Sequence, residues 1–207
     1  MISTKSKSKK SYKRPTHHTR SKSNKKYRKT HTQHIQKALI HPERKEECKA
    51  AFNYLNKLRK EKGRKELKWD DRAYKLAVAR SKDMAKRNYF DHVTPEETCA
   101  KDIKSGYGFK FWEIVAENCG GMTHHSDGNP IPGTSVKEAV DHWMKSRGHR
   151  YNLLYADHVS GAIGCYKSIC VFYGVHHNIF GLGSGPCTTG KKGLAFWKSI
   201  GKQPDEI

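Results

Sequence analysis

The first forty residues most constrain how this 207-residue chain can fold, because they cannot contribute to a hydrophobic core. They hold thirteen of the 41 Lys and Arg residues, none of the 20 Asp and Glu residues, and almost no aliphatic residue before Ile35. Such a segment buries too little apolar surface to offset the entropy lost on folding. We therefore predict a disordered basic tail over residues 1–40 and one core in the 167 residues that follow, which carry +8 of the net charge of +21.

The charge of the tail suits binding to nucleic acid, to another polyanion or to an anionic membrane, and the alternative is a solvated tail that only aids solubility. No apolar stretch of about 7–15 residues, as in a signal peptide, lies near the start. No run approaches the roughly 20 apolar residues of a membrane span. Composition thus predicts a soluble protein with no recognisable signal peptide and no transmembrane segment.

Two helices are predicted directly after the tail. The first runs from Pro42 to Lys62 and ends at Gly63, with acidic residues in its first turns. The second is capped by Asp70 and reaches Asn88, and its apolar face is interrupted only by Arg80. Both have the periodicity of helices that pack on a core.

Two capping-box patterns predict further helix starts. One is "TPEE" at residues 94–97, and the other begins at Ser135 and opens a helix that we expect Gly148 to end. Trp143 lies on the apolar face of that second helix and should be buried. Farther on, "VSGAIGCY" and "ICVFYGVHH" read as two strands joined by a two-residue turn, and helices mixed with short strands indicate an α+β fold.

The six cysteines permit three disulfides, and buried free thiols are the alternative. In the predicted hairpin, Cys165 and Cys170 lie opposite each other at a separation compatible with a bridge. We expect Cys99–Cys119 as the second bridge, which leaves Cys48–Cys187 by elimination. The absence of a CxxC pair argues against a structural zinc site.

Three stretches in order carry a family resemblance: "LNKLRKEKGRKELKWDDRAYKLAVARSKDMAKRNYFDH", "AENC" and "AVDHWMKSRGHRYNLL". Together they resemble the CAP superfamily, the SCP domain of cysteine-rich secretory proteins, antigen 5 and plant pathogenesis-related proteins. The third stretch is most similar to the bacterial branch, in which "W.SpGHR.nil" recurs. The likeness runs from about Phe52 to Gly181. We place the domain at residues 41–182, followed by a C-terminal extension over residues 183–207.

The resemblance implies a three-layer α-β-α sandwich with a central antiparallel sheet, and a cleft lined by two histidines and two glutamates. His92 and His149 match the histidines and Glu117 the first glutamate, whereas Ser146 stands where animal and plant members have the second. We expect His92 and His149 to bind a divalent metal such as zinc, with Glu117 holding the tautomer of one ring. Because Ser146 removes a carboxylate, the affinity should be modest.

Three functions fit these features. The first is a non-catalytic binding module whose cleft holds the metal and whose grooves take a lipid, a sterol or a peptide, in an extracellular or otherwise oxidising compartment. The second is a metal-assisted hydrolase using the same cleft, although neither an HExxH nor a G-x-S-x-G motif is present. The third is polyanion binding through the tail.

Overall fold

A computed structural model describes residues 42–177, Cys187 and residues 190–199. The predicted tail therefore lies outside the described residues. The described helices are α1 (Pro42–Glu61), α2 (Asp71–Arg87), α3 (Ala100–Ile103), α4 (Val136–Lys145), α5 (Arg147–Leu153) and α6 (Gly190–Ser199), with a 3₁₀ helix over Lys104–Tyr107. The described strands are β1 (Lys68–Trp69), β2 (Glu113–Gly121), β3 (Ser160–Tyr166) and β4 (Ile169–His177).

The four strands form one sheet in the order β1-β3-β4-β2. β4 pairs antiparallel with both β2 and β3, but β1 pairs parallel with β3. The expectation of a purely antiparallel sheet is therefore wrong at this edge. The chain between β1 and β3 forms helices and β2, which lies at the far edge of the sheet. This long connection allows β3 to run in the same direction as β1.

Helices cover both faces of this sheet. On one face α2 approaches so closely that a Cβ added to Gly164 of β3 would lie 2.7 Å from the backbone nitrogen of Val78. On the other face Trp143 of α4 packs over Gly120 of β2 and is 1% exposed, as predicted. α1 lies beside α4, where the Tyr54 hydroxyl donates to Asp141. The α-β-α sandwich is thus confirmed.

α1 and α2 follow the sequence prediction closely. Asp70 caps α2 by accepting a hydrogen bond from the backbone nitrogen of Arg72 at 2.9 Å. Asn88 ends it in the left-handed conformation, with φ of 52°. Arg80, the polar interruption of the apolar face, is buried with only 2% of its surface exposed. A buried guanidinium needs a partner, which points to the site described below.

The helix predicted to start at Thr94 is wrong. Thr94 instead closes a turn with Thr98, whose carbonyl accepts from the Thr94 backbone nitrogen at 2.8 Å. The helix begins at Ala100, where Asp102 accepts from the backbone nitrogen of Cys99 at 2.9 Å. The second glutamate of "TPEE", Glu97, has a positive φ of 62°, so the chain leaves helical geometry at that residue.

Gly148 does not end α4 as predicted. The helix stops at Ser146, which is extended (φ −86°, ψ 130°), and Gly148 and His149 lie inside the next helix, α5. Gly148 is not among the residues with positive φ. Glycine permits a stop but does not require one, and here the Ser146 carbonyl accepts from the backbone nitrogen of Arg150 at 2.8 Å to start α5.

The hairpin disulfide Cys165–Cys170 is confirmed, and its cysteines are direct cross-strand partners. The other two predicted bridges are wrong, because Cys99 pairs with Cys187. Cys48 and Cys119 are free and buried. Within the described residues, no helix is both long and apolar enough to cross a bilayer.

Candidate functional site

Alternation along β2 divides the "AENC" motif between the two faces of the sheet. Glu117 and Cys119 point to the α2 side, where Glu117 meets Arg80. Asn118 and Gly120 point to the other side, where Asn118 contacts α5 and Gly120 meets Trp143. Because β2 is an edge strand, both faces are close to the same border of the sheet.

Glu117 is the centre of a buried polar network. Its side chain is 7% exposed, and its Oε1 lies 2.8 Å from Nδ1 of His92. Its Oε2 lies 3.4 Å from Nε of Arg80. The hydroxyl of Tyr173, its cross-strand partner on β4, donates to the same oxygen. Glu117 is therefore fixed by groups from α2, from β4 and from the loop that follows α2.

The network favours the charged forms of Glu117 and His92. Burial would raise the pKa of Glu117, but the hydrogen bond with His92 and the charge of Arg80 outweigh it and hold that pKa below its ordinary value. The hydrogen bond to Glu117 raises the pKa of His92 above its ordinary value, against the opposing effect of burial. The two shifts agree, since each partner stabilises the charge of the other.

Cys119 joins this cluster as a third group with metal-ligand chemistry. Its Sγ lies 3.2 Å from Oε1 of Glu117 and 3.7 Å from Nδ1 of His92. Burial and the charge of Glu117 raise the pKa of this thiol well above its ordinary value. Thiol and carboxylate approach the same ring nitrogen, so His92 cannot relay a proton between them as the base of a catalytic triad does.

His149 reaches the same border of the sheet from the opposite layer. The side chain of Asn118 donates to the backbone carbonyl of His149 at 3.0 Å and accepts from Asn152 at 2.9 Å, which ties α5 to β2. Burial, and secondarily the charge of His92, lower the pKa of His149. Within the described residues, however, the cluster of possible metal-ligand atoms around Glu117, all within 4.8 Å of one another, contains His92, Glu117 and Cys119 but not His149.

Ser146, the fourth predicted cleft residue, lies at the junction of α4 and α5. It is half-buried, and its extended backbone sets the direction in which α5 leaves α4. As the N-cap of α5, three residues before His149, it lies about one helical turn from that histidine.

A groove of about 820 Å³ lies beside the polar cluster. Its wall includes Tyr89, whose hydroxyl accepts from Arg80, and Phe90, a residue that is 59% exposed. Met84 and Met122 lie at its base and are almost fully buried, and the remaining lining residues are largely polar or glycine. Tyr89 therefore links the groove to the network around Glu117.

Comparison with known proteins identifies the fold and its family. Residues 52–178 match the model of CAP, the cysteine-rich secretory protein family. This chain belongs to the CAP family. It is 31% identical over 120 residues to the uncharacterized protein YkwD of Bacillus subtilis, and 29% identical over 116 residues to the uncharacterized membrane protein YlbC of the same organism. These matches cover 58% and 56% of this chain but only 42% and 30% of the relatives, so the chain spans less than half the length of either.

Solved structures agree with this assignment. An extracellular protein containing an SCP domain from Bacillus anthracis superposes with a TM-score of 0.53 and 26% identity, over 63% of this chain and 40% of that one. A cysteine-rich secretory protein from Staphylococcus aureus superposes with a TM-score of 0.50 over 66% of this chain and 40% of that one. Its 17% identity supports the fold alone. The matches place the chain with bacterial CAP proteins.

Sequence reasoning missed three members of the CAP-domain site. Arg80 had a visible signal, because an arginine on an apolar helical face needs a buried partner. Cys119 also had one, since residues two apart on a strand share a face and Glu117 was already a candidate. Tyr173 had none, because strand pairing across β2 and β4 joins residues 56 positions apart.

Proposed function

We propose that this CAP-domain protein is a non-catalytic binding module of an extracellular or otherwise oxidising compartment. Its cleft holds a divalent metal at His92 and His149, and its groove takes a lipid, a sterol or a peptide. Two disulfides and the extracellular SCP-domain protein of Bacillus anthracis support the compartment.

One observation carries the metal proposal: the 2.8 Å contact between Nδ1 of His92 and Oε1 of Glu117. A carboxylate in that position fixes the ring orientation and leaves Nε2 as the ligand atom, the arrangement that often stands behind a metal-bound histidine. Glu117 is held in turn by Arg80 and Tyr173, so it cannot easily move. The ring of His92 is thus oriented before any metal arrives.

His149 is the second ligand in this proposal, because Asn118, the neighbour of Glu117 on β2, holds α5 at the same border of the sheet by donating to the His149 carbonyl. A metal bound instead by His92, Glu117 and Cys119 would have to displace the hydrogen bond at Nδ1. Zinc completes a tetrahedron with water when a protein offers fewer than four ligands. With two imidazoles and no second carboxylate, the site should bind zinc modestly.

Calorimetric titration with zinc tests this proposal. The wild-type protein should show a weak site that is abolished by His92→Ala and by His149→Ala. The basic tail carries histidines of its own, so His17→Ala/His18→Ala is the matched control and should leave the cleft site unchanged. Unchanged zinc binding in either cleft variant would reject the proposed ligands.

The groove supports the ligand part of the proposal. Its volume of about 820 Å³ would admit a small ligand. Its wall presents the exposed ring of Phe90. Phe90→Ser should weaken binding of a fluorescent fatty acid or sterol probe, whereas Tyr151→Ser, at an exposed tyrosine that does not line the groove, should not.

The tail is a separate candidate binding element, favoured by its thirteen cationic side chains without an acidic one. Binding to a polyanion through this segment should weaken steeply as salt rises from about 50 to 200 mM, because it depends on counterion release. Zinc and the apolar probe should depend much less on salt. A polyanion affinity that does not change over this range would contradict a role for the tail.

A further inference from the structure

The chain beyond the CAP match returns to the loop that carries His92. The family match ends at residue 178, yet Cys187 forms a disulfide with Cys99, 88 residues earlier. Cys99 lies directly before α3, at the end of the irregular segment over residues 88–99. His92 lies in the middle of that segment, which we call the His92 loop.

The start of α6 packs on the His92 loop. The backbone nitrogen of Lys191 donates to Oε1 of Glu97 at 3.2 Å. Gly190 has a positive φ of 82°, and a Cβ added there would collide with the Glu97 carboxylate and lie 3.1 Å from Cγ2 of Val93. Val93 is buried and directly follows His92. The C-terminal segment therefore contacts the residue next to the proposed metal ligand.

The two halves of the His92 loop are held by different groups. Before His92, the buried Arg80 donates to the carbonyl of Asp91 at 2.7 Å. After His92, Glu96 makes an exposed ion pair with Arg87 at 2.6 Å, and such pairs contribute little. Glu97 adopts a left-handed φ of 62°, which a residue other than glycine keeps only when its surroundings hold it. The turn between Thr94 and Thr98 supplies part of that restraint, and the disulfide and the contacts of Gly190 and Lys191 add to it.

We propose that this C-terminal clamp, Cys187 with Gly190 and Lys191, positions the His92 loop and makes metal binding sensitive to thiol reductants. The inference rests on the proposed metal site. A dithiol reductant would transfer two electrons and two protons to the Cys99–Cys187 bond, leaving two cysteine thiols and a disulfide in the reductant. The second half of the loop would then lose its covalent anchor and keep its noncovalent contacts with Gly190 and Lys191, so the backbone around His92 would open more easily.

Hydrogen exchange and zinc titration of the full chain test this proposal. In Cys99→Ser/Cys187→Ser, amides of residues 92–98 should exchange about tenfold faster than in the wild type, as local opening becomes easier. Zinc affinity should fall about tenfold or more, the loss usual when the support of a ligand is removed. The matched control, Cys165→Ser/Cys170→Ser, removes the hairpin disulfide and should leave both quantities near the wild-type values.

Gly190→Ala provides a second variant that keeps every cysteine. Its Cβ would push α6 away from Glu97, so exchange in residues 92–98 should again accelerate. Hydrogen exchange measured without zinc tests the clamp independently of the metal site. If the wild-type protein binds no zinc, that result rejects the metal site but not the clamp. The clamp would be overturned if amides of the His92 loop in Cys99→Ser/Cys187→Ser exchange within about twofold of the wild-type rate. It would also be overturned if Cys165→Ser/Cys170→Ser accelerates their exchange equally.

Discussion

Replacing Glu117 by glutamine should destabilise the protein by about 3 kcal/mol, because it removes the buried charge opposite Arg80. Breaking a buried ion pair by removing one partner typically costs about 3–5 kcal/mol. The lower end applies here, since Arg80 keeps its hydrogen bonds to the Asp91 carbonyl and the Tyr89 hydroxyl. Glutamine can also still accept the hydrogen bond from Tyr173.

Urea unfolding at pH 7 measures this loss. With a typical slope of about 2 kcal/mol per molar urea, the midpoint should fall by roughly 1.5 M. The exposed Glu66→Gln is the matched control and should change stability by less than about 0.5 kcal/mol. The double variant Glu117→Gln/Arg80→Met should lose less unfolding free energy than the two single variants added together. The reason is that each single variant already removes the same interaction between the two side chains.

The same variant has a spectroscopic signature at His92. Its pKa is raised by the hydrogen bond with Glu117, so glutamine should return it toward the ordinary value of about 6.5. In the wild type, the raised pKa of His92 in the folded state means that its protonated ring stabilises the fold. This stabilisation is fully present below a pH of about 6.5 and is lost as the pH rises through the folded-state pKa. Equal urea midpoints together with an unchanged His92 pKa by NMR would show that Glu117 does not stabilise the charges of Arg80 and His92.

Three further predictions concern the surrounding fold. Trp143→Ala should lower the free energy of unfolding by about 3–5 kcal/mol in urea, because it empties a buried site and removes the 3.0 Å hydrogen bond to the Cys119 carbonyl. A loss under about 1 kcal/mol would contradict that packing. Gly164→Ala should cost about 1–3 kcal/mol, since its Cβ would force α2 away from β3, and an unchanged midpoint would exclude so close an approach. Burial lowers the pKa of His158 to about 3. The free energy of unfolding of the wild type should therefore fall by about 2 kcal/mol from pH 7 to pH 5, relative to that of His158→Phe. Parallel pH profiles of the two proteins would exclude this effect.

Local patterns predicted the elements whose signals lie within a few residues of each other. Asp70 and Asn88 bound α2 because caps act on the adjacent turn, and the hairpin placed Cys165 opposite Cys170 through a two-residue turn. The histidine and glutamate positions came instead from the resemblance to the CAP family. Their spatial relation at the β2 edge follows from the sandwich, which brings α2 and α5 to opposite faces of one strand.

The errors arose where several local solutions were available. Gly148 could end a helix, but the extended Ser146 had already ended it, and nothing in the residue types distinguishes these two. The Cys99–Cys187 bridge joins residues 88 apart, and its geometry depends on where α6 packs rather than on spacing. The hydroxyl of Tyr173 reaches Glu117 only because β4 pairs with β2 in that register. Pairing across long separations is set by the whole fold.

In the proposed metal site, His92 and His149 share one metal ion while Glu117 supports His92. Anomalous diffraction at the zinc edge, from crystals of the full chain soaked in zinc, tests it most directly. We expect a peak about 2.0–2.1 Å from Nε2 of His92 and at the same distance from a ring nitrogen of His149, with the contact between His92 Nδ1 and Glu117 intact. A peak bound by Nδ1 of His92 together with Cys119, or the absence of a peak at these residues in fully soaked crystals, would contradict it.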